Sequence, residues 1–142
     1  MKIGIVLSNT PAYSETFFNA KIKGLIDSGF KVEIFVAKND NSFALCTINV
    51  APPIYKGNFI KLCFSLLINY LKLLFHLFKV FRFVKFERSV GVTYSTILKK
   101  VYLNAHILKA KNVDWLHFGF GTIALGRENL GKSIGAKTAV SF

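Results

Sequence analysis

Two hydroxyls and a carboxylate stand where the first predicted helix begins. An apolar run, residues 3–8, is followed by a loop and then by Ser14, Glu15 and Thr16. Ser14 and Thr16 at a helix N-terminus can hold an anion together with free backbone N–H groups, and Glu15 offers a carboxylate to sugar hydroxyls. Alternatively, Ser14 is an ordinary N-cap and Glu15 only favours the helix dipole. The turn is therefore a candidate binding site for a hydroxylated or anionic ligand.

A histidine followed by two glycines marks the end of a later strand. His117 lies near the end of the predicted strand 113–118 and precedes Gly119 and Gly121. Ligands of α/β proteins bind at the carboxyl ends of strands, and glycine lets a substrate approach the backbone closely. His117 is thus either a substrate contact or a structural residue. The other histidines, His76 and His106, lie on separate elements without ligand spacing, so no metal site is expected.

Residues 126–133 read Gly-Arg-Glu-Asn-Leu-Gly-Lys-Ser, which literally matches the phosphate-loop pattern G-x-x-x-x-G-K-S. A working phosphate loop needs a strand before it and a helix that starts at its lysine. Here the pattern falls inside the predicted helix 122–134, and only residues 134–137 separate Ser133 from the next strand. We therefore expect a surface helix with a charged face and no nucleotide at Lys132.

The segment 59–86 predicts a long basic amphipathic helix. It contains no acidic residue and five cations, which are Lys61, Lys72, Lys79, Arg82 and Lys85. Polar residues recur at steps of three and four, while nearly every other position is apolar, so something must cover a wide apolar surface. Its longest run without a formal charge is 62–71, whereas a membrane-spanning helix needs about 20 apolar residues in succession. A transmembrane segment is therefore disfavoured.

Composition and charge narrow the class of partner. The 142 residues are 52% hydrophobic and 18% charged, which indicates a single folded domain and excludes a disordered chain. Residues 41–111 hold eleven of the 19 Lys and Arg but one acidic residue, so the positive field coincides with the apolar helix. An anionic membrane surface suits both, whereas nucleic acid is bound by more polar surfaces and is not expected. Cys46 and Cys63 form no disulfide framework and fit a reducing cytoplasm.

The predicted elements alternate between strand and helix. Strands are expected at 3–8, 31–37, 47–50, 113–118 and 138–142, and helices from Ser14 to Asp27, at 59–86, once or twice within 89–111, and at 122–134. The strand-helix-strand order of the first 37 residues is a βαβ unit, which pairs its strands in parallel through a right-handed crossover. The sequence therefore predicts an α/β fold, a Rossmann-like, mostly parallel sheet with helices on both faces.

Two of these segments carry a family resemblance. The chain resembles the retaining glycosyltransferases of family four, also called group one, in which two Rossmann-like domains face each other across a cleft. The family motif Pro-x-x-Ser-Glu-Thr-Phe is matched by residues 11–17, and Asp-x-x-His followed by Phe-Gly is matched by Asp114, His117, Phe120 and Gly121. Residues 135–142 resemble the family strand Gly-Ala-Lys-x-x-x-Ser-Phe. Gly119 stands where the family often has a second histidine.

The resemblance implies a function and a set of site residues. Residues 1–142 would be the N-terminal, acceptor-side half of a GT-B fold, with the donor-binding domain and the catalytic turn expected beyond Phe142. The enzyme would transfer a sugar from a nucleotide-sugar donor to a glycan or lipid-linked acceptor in cell-surface polysaccharide biosynthesis, without a further cofactor. This chain alone is then expected to be inactive. Its acceptor-binding residues would be Ser14, Glu15, Thr16, His117, Gly119 and Gly121.

The resemblance also implies a role for the basic helix. Family members that act on lipid or lipid-linked acceptors dock on the cytoplasmic leaflet of the plasma membrane through basic, apolar helices of this domain. Lys61, Lys72, Lys79, Arg82 and Lys85 would then contact anionic lipid. Two alternatives stay open. Most of the apolar surface packs on the sheet and the cations are merely solvated, or the chain is a non-catalytic membrane-surface module that uses helix 59–86.

Overall fold

The fold is described from a computed structural model that covers residues 1–11, 16–39, 43–55 and 57–141. The strands are β1 (Lys2–Asn9), β2 (Lys31–Lys38), β3 (Thr47–Val50), β4 (Trp115–Phe118) and β5 (Lys137–Val140). The α-helices are α1 (Thr16–Asp27), α2 (Phe59–Leu73), α3 (Leu77–Ser89), α4 (Tyr94–Leu103), α5 (Ala105–Leu108), α6 (Gly121–Ala124) and α7 (Asn129–Ile134). A 3-10 turn, Leu74–His76, joins α2 to α3.

The five strands form one sheet in the order β3-β2-β1-β4-β5, and every neighbouring pair is parallel. Ile5 in the central strand β1 lies between Ile34 of β2 and His117 of β4. Short apolar runs of this kind, joined through helices, suit a sheet that is covered on both sides. The Rossmann-like α/β fold predicted from the sequence is confirmed.

Helices cover both faces of the sheet, but unequally. On one face α1 packs Phe18 and Ile22 against Ile5 and Ile34. On the other face the helices α3, α4, α5 and α7 enclose the larger cluster, in which Phe83 lies fully buried. Alternation of β1 side chains between the two faces assigns Ile5 and Leu7 to the α1 side and Val6 to the opposite side.

The long helix at 59–89 turns part of its polar stripe toward the protein. The Ser65 hydroxyl lies 2.7 Å from the Tyr102 hydroxyl of α4, and the Lys79 ammonium donates to the Ala110 carbonyl. The alternative in which most of the apolar surface packs on the sheet is not what the structure has. Eleven large apolar residues of this segment are exposed, and we call them the outer apolar face: Phe59, Ile60, Phe64, Leu67, Ile68, Leu71, Leu74, Phe75, Leu77, Phe78 and Phe81.

The 3-10 turn explains why polar residues face the protein, and apolar residues face outward, in α3 as well as in α2. An α-helix advances 100° per residue and a 3-10 helix 120°, so the three residues Leu74–His76 rotate the following residues by roughly 60°. Lys79 and Arg82 are thereby turned to backbone carbonyls of the protein, while Phe78 and Phe81 stay exposed. By length and composition alone, the helical segment Phe59–Ser89 could cross a membrane, since it contains an 18-residue window of mean hydropathy 1.5.

One predicted helix is broken in two. The sequence predicts a continuous helix at 122–134, but α6 ends at Ala124 and α7 begins at Asn129. Gly126 takes a φ of +72°, which is the left-handed region and interrupts an α-helix. The predicted helix end at Gly135 is confirmed, since Gly135 caps α7 with a φ of +81°.

Candidate functional site

The strand order places a crevice between the carboxyl ends of β1 and β4. From β1 the chain moves to β2 on one side, whereas β4 continues to β5 on the other side, so the winding reverses between β1 and β4. Open α/β sheets bind ligands at such a reversal, outside the carboxyl ends of the strands. We call the cavity found there the switch-point cavity.

The switch-point cavity has a volume of about 450 Å³. It is lined by Ser8 near the end of β1, by Lys100, Leu103 and Asn104 at the end of α4, and by Thr122, Ile123, Leu125, Gly126 and Arg127 of α6 and the turn after it. Three separate segments of the chain therefore converge on it. The sheet order, and not proximity in sequence, brings them together.

Two cations border the cavity in different electrostatic situations. The Lys100 ammonium lies 2.6 Å from a carboxylate oxygen of Glu87, so its charge is compensated. Arg127 forms no salt bridge within the described residues, and its guanidinium donates to the Ile123 carbonyl at 3.4 Å. Burial lowers the pKa of Arg127 from its usual value. A partly desolvated cation without an anionic partner is a binding group for phosphate or carboxylate.

Asn104 contributes an unused acceptor to the same cavity. Its side chain is 3% exposed, and its amide nitrogen donates to the Lys100 carbonyl at 2.8 Å, which fixes the orientation of the amide. The Oδ1 atom is buried without a hydrogen-bond partner in the described part of the chain. A buried acceptor left unsatisfied costs about 1–3 kcal/mol. Oδ1 has almost no accessible surface, so a hydroxyl-bearing ligand would recover that energy only after a small shift of the cavity wall.

His117 lies on the other face of the sheet from this cavity. It is the third residue of β4 and pairs with Ile5, whereas β1 continues to Asn9, so the ring lies below the carboxyl edge of the sheet. Its Nε2 atom lies 3.0 Å from the Lys21 ammonium and 2.8 Å from the Ser141 hydroxyl. Burial, and then the charge of Lys21, lower the pKa of His117. His117 and Lys21 line a second, apolar cavity of about 310 Å³.

Of the other predicted acceptor residues, Thr16, Gly119 and Gly121 lie in the described part of the chain. Ser14 and Glu15 lie outside the described residues, and Thr16 is the exposed first residue of α1. Gly121 begins α6 and so precedes the residues that line the switch-point cavity.

Gly119 has a packing reason that the sequence did not indicate. A Cβ atom there would collide with the Leu7 side chain and lie 3.0 Å from the Phe18 ring. The glycine lets α1 approach the loop that follows β4, where Phe18 also stacks edge-on against Phe120 with ring centroids 5.3 Å apart. This close contact is within the protein core, so Gly119 needs no ligand to explain it.

The five predicted lipid-contacting cations divide into two groups. Lys61, Lys72 and Lys85 are exposed. Lys79 donates to the Ala110 carbonyl, and Arg82 donates to the Lys132 carbonyl at 2.6 Å, so both contact the protein. Only the first group is free to meet an anionic surface without breaking an internal hydrogen bond.

The phosphate-loop pattern has the wrong setting, as expected. Gly131, Lys132 and Ser133 lie inside α7, and the segment before them is α6 with its turn, not a strand. Ser133 is buried and its hydroxyl donates to the Asn129 carbonyl at 2.6 Å. The expected charged surface helix is only partly right, because Leu130 and Gly131 are buried in the core.

The comparisons with known proteins add no identification. No family model, no curated protein and no solved structure matches this chain. The family resemblance therefore rests on the segments 11–17, 114–121 and 135–142 alone.

Sequence reasoning missed the residues that line the switch-point cavity. Ser8, the last residue of the predicted strand 3–8, is a recognisable signal under the rule for parallel sheets. Arg127 was part of the apparent phosphate loop and was interpreted as a surface residue. Asn104 offered no signal, because its burial and its unpaired oxygen depend on how α4 meets α6.

Proposed function

We propose that this chain is the acceptor-side domain of a glycosyltransferase that moves a sugar from a nucleotide-sugar donor to a glycan or lipid-linked acceptor. The observation that carries the proposal is the switch-point cavity, which is lined both by Arg127, a cation with no salt bridge among the described residues, and by Asn104. The resemblance at residues 11–17 and 114–121 supplies the type of chemistry. The cavity supplies groups suited to a hydroxylated, anionic acceptor.

The roles of the residues follow from their chemistry. Asn104 Oδ1 accepts a hydrogen bond from an acceptor hydroxyl, and Arg127 holds a phosphate or carboxylate of the same molecule. The hydroxyls of Ser8 and Thr122, both exposed at the mouth, add exchangeable donors and acceptors. Together they orient the attacking hydroxyl toward a sugar held by a facing lobe, and fixed dipoles and cations of this kind stabilise the charge that develops on the leaving diphosphate.

A transfer assay tests this proposal. The protein as the cell makes it is incubated with labelled nucleotide sugars and a membrane lipid and glycan extract, and label in the extract is measured. Asn104→Leu and Arg127→Gln each remove an acceptor contact, so we expect kcat/KM to fall roughly 10- to 100-fold. Lys132→Gln is the control, because Lys132 is exposed on α7 outside the cavity. Absence of transfer from every donor would refute the proposal.

The same assay decides whether His117 and Glu15 belong to the acceptor site. Glu15→Gln and His117→Ala should lower the transfer rate if these residues contact the acceptor. Unchanged rates in both variants would remove them from the site and leave the switch-point cavity as the remaining candidate.

We also infer that the outer apolar face docks on an anionic membrane, on the cytoplasmic side of the plasma membrane. Monomeric soluble proteins rarely expose contiguous apolar patches above a few hundred Å². Here eleven large apolar side chains are exposed along one helix, with Phe75 at 88% exposure. Exposed Lys61, Lys72 and Lys85 accompany them, and each lysine near an anionic surface contributes about 1 kcal/mol.

The internal contacts favour a helix lying in the interface over a helix that crosses the bilayer. Ser65 near the start and Arg82 near the end both contact the domain, and they are separated by about 25 Å along the axis. A spanning helix would therefore carry α4 and α7 into the hydrocarbon with it. A helix lying flat needs only its outer face in the lipid.

Vesicle co-sedimentation tests membrane docking and the non-catalytic alternative together. The chain should sediment with vesicles that contain anionic phosphatidylglycerol and much less with phosphatidylcholine alone. Phe75→Ser/Phe78→Ser should weaken sedimentation at least tenfold, because each phenylalanine contributes about 1.5–3 kcal/mol on burial. Leu45→Ser/Ile26→Ser removes two exposed apolar residues elsewhere and should have little effect. Docking without transfer activity would favour the membrane-surface module.

A further inference from the structure

An apolar groove lies between α2 and α4. It has a volume of about 620 Å³, and its apolar lining comes from Ile54, Leu62, Leu66, Tyr70, Leu98 and Leu103. Leu62 and Leu66 lie on α2, the same helix that carries much of the outer apolar face. The groove therefore adjoins the surface that we assign to the membrane.

The two tyrosine hydroxyls beside the groove are already hydrogen-bonded within the protein. The Tyr102 hydroxyl lies 2.7 Å from the Ser65 hydroxyl and donates to the Pro53 carbonyl at 2.8 Å. The Tyr70 hydroxyl donates to the Leu98 carbonyl at 2.9 Å. With both phenols satisfied, the groove presents mainly hydrocarbon, which water solvates poorly and an aliphatic chain fills well.

Helix α4 joins this groove to the switch-point cavity. Leu103 lines both spaces, Lys99 borders the groove and Lys100 borders the cavity. A polar, cationic space and an apolar space thus meet at one residue. The complementary ligand has an anionic, hydroxylated head and a hydrocarbon chain attached directly to it.

We propose that the acceptor is an anionic lipid, with its phosphate-bearing head in the switch-point cavity and its aliphatic chain in the groove between α2 and α4. This inference rests on the proposed function and narrows its acceptor to the lipid-linked class. The outer apolar face leads the aliphatic chain of the lipid from the bilayer to the groove, and Lys99 borders the groove. A soluble glycan would fill the cavity and leave the groove empty.

Binding of n-alkyl phosphates to the 142-residue chain tests the inference by isothermal titration calorimetry. The affinity for inorganic phosphate measures binding to the cavity alone. The increase in affinity from butyl to hexyl to octyl phosphate, each below its micellar concentration, measures binding of the aliphatic chain in the groove. Affinity should rise about fourfold for each methylene that enters the groove. Leu98→Ser, a change at a side chain already 56% exposed, should reduce that increment at least twofold per methylene without unfolding the protein.

Matched variants separate the two spaces. Leu45→Ser, at a leucine 47% exposed and remote from the groove, should leave the chain-length increment unchanged. Arg127→Gln should weaken inorganic phosphate and all three alkyl phosphates by the same factor, about tenfold or more. If Leu98→Ser and Leu45→Ser change the gain in affinity per methylene equally, the aliphatic chain does not bind in the groove. The gain would then reflect adsorption on the outer apolar face.

The outcomes also distinguish this inference from the proposed function. If phosphate binds but chain length has no effect, the groove assignment is wrong and the polar cavity stands. If the chain-length increment and its loss in Leu98→Ser are found but no sugar is transferred, the lipid site stands and the transferase proposal fails.

Discussion

The Lys100 ammonium lies 2.6 Å from the carboxylate of Glu87, and this pair connects the helix that lines the switch-point cavity to the helix that carries part of the outer apolar face. Glu87 is 1% exposed, and the Asn129 amide donates to its other oxygen at 3.0 Å. One buried carboxylate therefore ties α3, α4 and α7 together. The position of the cavity relative to the membrane-facing surface depends on this contact.

Removing the lysine of this pair should destabilise the protein strongly. Lys100→Met leaves the Glu87 carboxylate buried without its counter-charge, and such changes cost about 3–5 kcal/mol. Urea unfolding at neutral pH measures the loss. Lys100→Met/Glu87→Met should regain most of it, because no isolated charge is left, and Lys99→Met, at an exposed neighbour, should change stability by less than about 0.5 kcal/mol. Equal effects of Lys100→Met and Lys99→Met would contradict the burial of the pair.

Two glycine-to-alanine changes should have opposite signs. Gly119→Ala forces a methyl group against Leu7 and the Phe18 ring, and overpacking of this kind costs about 1–3 kcal/mol. Gly24→Ala, inside α1, meets no atom within 4 Å and should stabilise by about 0.5–1 kcal/mol through helix propensity. Thermal unfolding of the two variants gives the comparison. A stable Gly119→Ala protein would mean that α1 does not approach the loop after β4 this closely.

Stability should depend on pH through His106. Burial, and then the charges of Arg127 and Lys109, lower the pKa of His106 to about 3. Between pH 6.5 and pH 3 the unfolded chain therefore binds a proton that the folded protein does not bind. The free energy of unfolding should fall as the pH drops through this window, by up to about 1.4 kcal/mol per pH unit.

His106→Leu removes this proton and should flatten the pH dependence. Urea unfolding gives the free energy of unfolding of both proteins between pH 7 and about pH 5. Over this range the value for the wild type should fall by about 2 kcal/mol more than the value for the variant. At pH 7 the variant also loses the buried, unpartnered Nδ1 atom, so its stability should be close to that of the wild type. Curves that stay parallel across the window would mean that His106 is solvated.

The two cysteines should differ in reactivity and report the docked surface. Burial, and then the charge of Glu33, raise the pKa of Cys46 to about 11, so at pH 8 about one thiol in a thousand is ionised. Cys63 is exposed on α2. A maleimide should therefore modify Cys63 first, and Cys63→Ser should leave only slow labelling.

Anionic vesicles should then protect Cys63. Cys63 lies one helical turn before Leu67 of the outer apolar face, so insertion of that face into lipid shields the thiol from a water-soluble maleimide. Phosphatidylcholine vesicles serve as the control and should leave the rate of maleimide labelling of Cys63 nearly unchanged. Full reactivity of Cys63 on sedimented anionic vesicles would place the helix outside the bilayer.

Much of the fold could be predicted because its signals are local. Strand β3 was expected at 47–50 and is found at Thr47–Val50, and the helical stop at Gly135 is found as a left-handed cap. The break at Gly126 could not be predicted, because a single glycine is compatible with a helix until tertiary packing imposes a positive φ.

The candidate site was less predictable for a geometric reason. His117 was expected at the carboxyl edge, but the register of β4 with β1 places it beside Ile5 on the α1 face. Asn104 and Arg127 line one cavity only because the end of α4 and the turn after α6 both border it. Registers and packing of distant segments are not encoded in any short stretch of sequence.

The sequence by itself determined that a parallel α/β sheet forms and that residues 59–86 make a basic helix with separate polar and apolar sides, because periodicity and turn residues act over a few positions. Only the tertiary structure decided which side of that helix faces the protein. Periodicity gives the relative angle of the two sides, whereas the contacts of Ser65 with Tyr102 and of Arg82 with Lys132 fix the absolute orientation and leave the apolar side exposed.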